Sequence, residues 1–209
     1  SQNAAKLLWN TKPISNEFVS LLYFAAVLSP FMDSTVKVKN REQAVVKYII
    51  LHSLKLSVHH AEFCDRLLCN SRIISDSVQN FCESGVNRKS LGLLVREIGS
   101  RPLASQWDLS ILMAFLIDAL KRYPDLSEEN ILTLLKQYEK LMEAIFSASL
   151  QNSYDLRPIL DGKSVAKILK MKPGPQIGVI LQHLLEWQLG KIDPTEEEAI
   201  QYLTHHFAK

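Results

Sequence analysis

The sequence predicts an all-α fold, with a multi-helix body over residues 1–150 and a smaller helical tail over residues 155–209. Three observations carry that expectation. Apolar residues recur at helical spacing along most of the chain, as in Ile111, Leu112, Phe115, Leu116, Ala119, Leu120 and Tyr123. Pro13, Pro30, Pro102, Pro124 and Pro173 fall between such runs, where helices stop. Alternation of period two is confined to Val36-Lys37-Val38-Lys39, too short a stretch to outweigh a basic loop.

Taken in order, residues 1–12 read as a helix with Leu7, Leu8 and Trp9 on its apolar side. Phe18, Leu21, Leu22, Ala25 and Leu28 give the next helix, stopping near Ser29-Pro30. Asn40 is placed to cap a helix bearing Val45, Val46, Ile49 and Ile50. Ser57 opens another that runs through Cys69, and shorter helices follow over 73–81 and 89–98. Ser105 is the expected N-cap of the next, with Asp108 favouring its first turn. Ser127 caps the helix after that, with Leu126 and Ile131 as a hydrophobic staple. Residues 151–158 read as a polar linker. Thr195-Glu196-Glu197-Glu198 is a capping box that starts a last helix to about His206.

Composition narrows the function classes. At 209 residues and 47% apolar, the chain buries a real core. A net charge of +2 means that any nucleic-acid surface must come from local clustering. Cys64, Cys69 and Cys82 are an odd set without framework spacing, which points to a reducing, intracellular compartment: cytoplasm, nucleus or mitochondrion. No apolar run reaches the ~18 residues of a membrane span, so no membrane partner is expected. Ser1 is not an initiator methionine, and the chain reads as if it began mid-protein.

The most informative stretch is 161–189, a helix-hairpin-helix-like element. Asp161 caps a short helix whose apolar side is Val165, Ile168 and Leu169. Lys163, Lys167 and Lys170, at i, i+4 and i+7, line another side. Pro173 ends that helix, Gly174 is expected at positive φ, and Pro175 suits the first turn of the next. Ile177, Ile180, Leu181, Leu184 and Leu185 then repeat at helical spacing. A helix start exposes unpaired amides and a partial positive charge. The amides of Gln176, Ile177 and Gly178, with Lys170 and Lys172 beside them, make a candidate phosphate-binding turn.

Elsewhere the chemistry is thin. His59, His60, Cys64 and Cys69 lie on one helical pattern, and a tetrahedral zinc site normally draws on two segments, so no metal is expected. There is no Gly-x-Ser-x-Gly elbow and no Walker loop, so no catalytic residue is assigned. Basic groups at Lys37, Lys39, Arg41 and Lys47, and at Arg88, Lys89 and Arg96, could face RNA or solvent, and solvent is the favoured reading. Arg157 and Lys191 bracket the candidate turn. Of the aromatics near it, only Trp187 and Tyr154 could stack a base, which favours duplex over single-strand binding.

Leu160, Gly162, Pro173-Gly174-Pro175, Ile177-Gly178, Glu186, Gln188-Leu189-Gly190, and downstream Ile192, Thr195, Glu197-Glu198-Ala199 and Leu203, resemble the carboxy-terminal part of the CCA-adding enzymes. These are the tRNA nucleotidyltransferases related to bacterial poly(A) polymerases. The family often has an acidic residue where this chain has Ser164. Its Asp-x-Asp metal-holding pair does not follow Gly99-Ser100, and Glu62-Phe63-Cys64-Asp65-Arg66 has the wrong spacing for its base-templating Glu-Asp-x-x-Arg motif. The resemblance therefore implies a body-and-tail fragment of a eukaryotic-type enzyme that holds tRNA at its acceptor and elbow region. Mg²⁺, CTP and ATP are implied for the parent enzyme, and no cofactor for this chain. Two rival readings are a helical scaffold for partner helices and a helix-hairpin-helix DNA binder.

One outcome follows from the sequence alone. The isolated chain, incubated with tRNA lacking its CCA end, CTP, ATP and Mg²⁺, should incorporate no nucleotide. Incorporation above that of an enzyme mutated at its metal ligands would place an active site here.

Overall fold

A computed structural model describes residues 15–84, 87–122, 124 and 127–207. The expected helix over 1–12, Tyr123 and the Leu126 half of the staple lie outside those residues. Among the described residues there are nine α-helices and one two-stranded sheet. The chain is all-α, as its periodicity predicts.

Helix α1 (Asn16–Leu28) is capped by Ser15, whose Oγ accepts the Phe18 amide at 3.4 Å. The 35–44 segment departs from expectation. Strands β1 (Thr35–Val38) and β2 (Arg41–Ala44) pair antiparallel, with Val38 opposite Arg41 and Thr35 opposite Ala44. Lys39 and Asn40 both have positive φ, 46° and 66°, which is the backbone of a tight hairpin turn matched to strand twist. Asn40 is thus a turn residue and caps no helix. Helix α2 (Val45–Tyr48) follows β2 directly and widens into a π-turn over Ile49–Ser53.

Helix α3 (Val58–Ser84) replaces the two helices expected over 57–69 and 73–81. Its start agrees with the sequence, since the Ser57 Oγ accepts the His60 amide at 3.2 Å. It continues through Asn70-Ser71 because the Asn70 amide nitrogen and the Ser71 hydroxyl find acceptors inside the fold. Asn70 Nδ2 donates to the Ile98 carbonyl at 2.9 Å and to Ser110 Oγ at 3.0 Å, and Ser71 Oγ donates to the Leu68 carbonyl at 2.6 Å. Helix α4 (Arg88–Ile98) is capped by Asn87, whose side chain accepts the Ser90 amide at 2.8 Å.

Helix α5 (Asp108–Lys121) starts later than expected. Ser105 sits within a 3₁₀ turn, Ala104–Gln106, and does not cap it; Asp108 Oδ1 instead accepts the Leu109 amide at 3.1 Å. Helix α6 (Glu128–Ser147) does begin at the predicted cap, with Ser127 Oγ accepting the Asn130 amide at 3.2 Å. The tail holds α7 (Gly162–Ile168), α8 (Pro175–Leu189) and α9 (Glu196–Phe207). The capping box of α9 forms both of its bonds, between Thr195 and Glu198.

Three apolar clusters organise these helices. One joins α1, α2, the first half of α3 and the side of α5 bearing Leu109, Leu112 and Met113. A second joins the second half of α3, α4, α6 and the side of α5 bearing Ile111 and Ala114. The third lies within the tail, around Val165, Ile177, Leu184 and Leu203. Helices α3 and α5 serve both body clusters, so the front of α5 is buried on two sides rather than along one stripe. The 151–158 stretch is docked rather than a free linker. Trp107 Nε1 donates to the Gln151 carbonyl at 3.0 Å, Ser153 is buried, and Tyr154 lies against Gly99. A Cβ built on Gly99 would meet the Tyr154 Cβ at 2.4 Å, so the close approach itself requires glycine there. Helix α8 reaches the body through Leu189, which packs over Gly92 of α4.

Asn70 is the test of this packing. Asn70→Leu would leave the Ile98 carbonyl and the Ser110 hydroxyl without their donor, a loss of about 1–3 kcal/mol. Ser110→Ala removes one bond only and should cost less. Chemical denaturation measures both; an Asn70→Leu protein as stable as the parent would show that the amide is not holding the helices together.

Candidate nucleic-acid interface

The residues singled out by the sequence lie on α7, on the turn that follows it and at the start of α8. Asp161 caps α7 as predicted. Its Oδ1 accepts the Ser164 amide at 2.8 Å, and that bond holds the carboxyl below the usual carboxylate range. The far end of α7 is built differently from expectation. The helix stops at Ile168, and Lys170 takes φ 50°. The Lys170 amide donates to the Lys167 carbonyl at 3.3 Å and the Met171 amide to the Ala166 carbonyl at 2.9 Å. This pair of bonds is a Schellman closure with lysine in the left-handed position that glycine usually fills.

The positive φ expected at Gly174 therefore falls on Lys170. Gly174 is extended, at φ 178° and ψ 179°, and a Cβ there would find its nearest neighbour, the Lys172 carbonyl oxygen, at 4.0 Å. The chain has already reversed at residue 170, so 174 has only to lead straight into Pro175. Pro175 occupies the first turn of α8, as predicted. Gly174 offers no side-chain cap, and the Ile177 amide turns back to the Gly174 carbonyl at 3.1 Å. That bond withdraws Ile177 from the trio of amides, and its side chain is buried in the tail cluster. Gln176 and Gly178 are exposed, and the space beside Gly178 is open.

Lys163, Lys167, Lys170 and Lys172 are all exposed, and none takes part in an ion pair among the described residues. Lys191 is different. It pairs with Glu198 at 3.5 Å and lies over the Trp187 ring, 5.7 Å from its centroid. The two aromatics named as possible base platforms are engaged within the protein. Trp187 stacks on Tyr202 at 5.3 Å, and Tyr154 packs into the body.

The second group of basic residues, read from the sequence as solvated, does structural work instead. Arg88 donates through Nε to the Lys191 carbonyl at 2.7 Å and through Nη1 to the Ala148 carbonyl. Arg96 Nη1 reaches the carbonyls of Ser153 and Leu156. Lys89 pairs with Glu186 at 2.7 Å, which lowers the Glu186 pKa. Buried Gln188 accepts the Ile159 amide at 3.0 Å and donates to the Arg157 carbonyl at 3.3 Å. Only Gln188 carried a signal in the sequence: it is a polar residue in register with the buried stripe of α8.

The residues weighed for a metal point elsewhere. His60 Nε2 lies 3.0 Å from Glu17 Oε1. The Cys64 thiol is buried, donates to the Leu21 carbonyl and is pushed up to about 12 by burial. Cys69 is exposed. Among the described residues no three His, Cys, Asp or Glu side chains converge as a metal site needs.

Comparison with known proteins completes the picture. The chain is 29% identical over 185 residues to the mitochondrial CCA tRNA nucleotidyltransferase of Saccharomyces cerevisiae, covering 86% of this chain and 33% of that protein. It is 28% identical over 182 residues to tRNA nucleotidyltransferase cca2 of Schizosaccharomyces pombe, covering 87% of this chain and 35% of the relative. Its homologues are CCA tRNA nucleotidyltransferases. The match falls in a carboxy-terminal part of these nucleotidyltransferases, and the chain spans about a third of the length of the curated relatives it matches. No family model and no solved structure matches it. Among the described residues no helix is long and apolar enough to cross a membrane.

The backbone of the turn makes a clear forecast. Lys170→Gly relieves a left-handed lysine and should raise stability by up to about 1 kcal/mol. Gly174→Ala should be neutral, since nothing about its backbone or surroundings requires glycine. Thermal melts of the two variants check this; a Gly174→Ala protein that melts well below its parent would put the chain reversal back at residue 174.

Proposed function

We propose that this chain is the tRNA-holding carboxy-terminal region of a CCA-adding enzyme, with residues 1–150 as body and 155–209 as a tail that grips the acceptor and elbow region of tRNA. In this reading the whole enzyme adds C, C and A to tRNA 3′ ends from CTP and ATP with Mg²⁺. The described residues do not fit that metal, so no chemical step is assigned to them. The compartment is one that contains tRNA, and the mitochondrial relatives favour the mitochondrion.

The observation that carries the reading is the set of lysines at 163, 167, 170 and 172, exposed and without an ion pair among the described residues. They lie on α7 and on the segment that leads through Gly174 to Gln176, Ile177 and Gly178 at the start of α8. A lysine with no internal partner keeps its full charge for an outside one. Duplex RNA is bound largely through phosphate and 2′-hydroxyl contacts, which suits lysines and exposed backbone. The internal stacking of Trp187 and the packing of Tyr154 fit a site that reads shape rather than splayed bases.

The chain should bind tRNA weakly and with steep salt dependence. Three or four phosphate contacts at roughly 0.7–0.9 each give a log–log slope of about −2 to −3.5. Neutralising Lys163, Lys167, Lys170 and Lys172 together should flatten most of that slope without lowering the melting temperature. Fluorescence anisotropy with labelled tRNA measures it. A salt-independent response in the parent chain would favour the helical scaffold, and equal affinity for duplex DNA would favour the DNA-binding reading.

A further inference from the structure

We propose that the β1–β2 ribbon is a second RNA-contacting surface, with Lys37, Lys39 and Arg41 meeting phosphates of the RNA that the tail lysines grip. This rests on the reading of the chain as a tRNA-binding region, and it adds a site on the body.

The argument begins with how the ribbon distributes its charges. Cations near its base are paired: Lys47 with Asp65 at 2.9 Å, and Arg72 with Asp33 in the approach to β1. Cations toward its tip are not. Lys37, Lys39 and Arg41 are exposed and take part in no ion pair among the described residues. Glu42 stands directly opposite Lys37 in the ladder, yet the two do not close into a salt bridge. Val36 and Val38 are half-buried on one face and Lys37 is exposed on the other, while Arg41, paired with Val38 beside the turn, is exposed at the ribbon's end.

The turn residue is the second observation. Lys39 has φ 46°, a conformation in which glycine or asparagine costs less than lysine. Packing does not explain the lysine, because it is exposed. Pairing does not explain it, because among the described residues it has no carboxylate partner. What remains is a charge held at the apex of a stiff reversal. Lys170 repeats the device at φ 50° in the tail turn, where the proposed phosphate contacts lie. Both put an ammonium on a short, hydrogen-bonded bend whose backbone holds little conformational freedom. Less entropy is then lost when the ammonium meets its partner. A phosphate backbone is the partner that fits, since it takes point charges without base-specific geometry.

The experiment uses the whole chain and labelled tRNA. With the ribbon engaged the parent log–log slope is steeper than the tail lysines' own, about −2 to −3.5, and the triple variant Lys37→Ala, Lys39→Gly, Arg41→Ala should bind at least about fivefold more weakly at 0.1 M salt, with the slope reduced by about 2 toward the tail's value. Glycine suits the turn, so the melting temperature should not fall. Exposed Lys140, remote in sequence from both surfaces, is the reference: Lys140→Ala should change affinity less than twofold. If the parent binds and the triple variant matches it in affinity and slope, the ribbon is overturned while the tail reading stands. A loss with Lys140→Ala as large per charge as that of the triple variant also overturns the ribbon. Binding that survives neutralisation of the tail lysines but falls with the ribbon variant supports the ribbon and removes the tail site. A parent chain without tRNA affinity overturns both.

Discussion

The side-chain amide of Asn70 is the constraint on which the body depends. It lies in the middle of α3, fully buried, and donates at once to the last carbonyl of α4 and to a hydroxyl in the first turn of α5. A buried amide without partners would break a helix or unfold its surroundings. Here its donors tie three helices together at one point, and α3 runs through. An unbroken α3 then reaches both body clusters, with Phe63, Leu67 and Leu68 in one and Ile74 and Val78 in the other. Helix α5 must lie against it and be buried on both sides. Tyr138 supplies a comparable polar tie further along, donating to Asp118 at 2.7 Å, and burial raises its pKa.

The tail is held by backbone carbonyls more than by a broad apolar seam. Arg88, Arg96 and Gln188 all reach main-chain groups of connecting segments, at Ala148, Ser153, Leu156, Arg157, Ile159 and Lys191. The arginine bonds are charge-assisted, roughly twice as strong as neutral ones. They also fix direction, because a guanidinium presents a planar fork of donors. Leu189 over Gly92 adds the close contact that keeps α8 against α4. The proposed binding surface on α7 and α8 is thereby carried in a set orientation to the body, which a free linker over 151–158 would not provide.

What the sequence reveals and hides divides along physical lines. Local signals are legible. The caps at Ser57, Asp161 and Ser127 and the Thr195–Glu198 box all form, because each depends on residues three positions apart. Features set by distant partners are not. Asn70-Ser71 looks like a break until Ile98 and Ser110 supply acceptors. Arg88 and Arg96 look solvated until the connectors fold over them. Asn40 and Ser105 look like caps because cap and turn share residue preferences, and only the neighbouring strand or 3₁₀ turn separates the two. The candidate site is legible in its composition and partly misread in its backbone. Glycine at 174 suggested the left-handed position, and lysine at 170 concealed it.

That exchange bears on how the surface works. A glycine at the end of α7 would close the helix more cheaply, but it would carry no charge. The chain instead has lysine at the reversal, with Lys167 one turn before it and Lys172 two residues beyond. With a net charge of only +2, attraction at long range is weak, and an exposed cation acts within about a Debye length of roughly 8–10 Å. Affinity of the proposed surface must then come from the number of cations presented together and from how little freedom each loses on contact. Helix spacing gathers Lys163 and Lys167 along one side of α7, the Schellman bonds stiffen the exit that carries Lys170, and the arginine clamps set the whole against the body. Three acidic residues of the tail are already occupied, Asp161 by the helix cap, Glu186 by Lys89 and Glu198 by Lys191. Those three carboxylates are tied up in the fold, and the lysines of α7 are exposed.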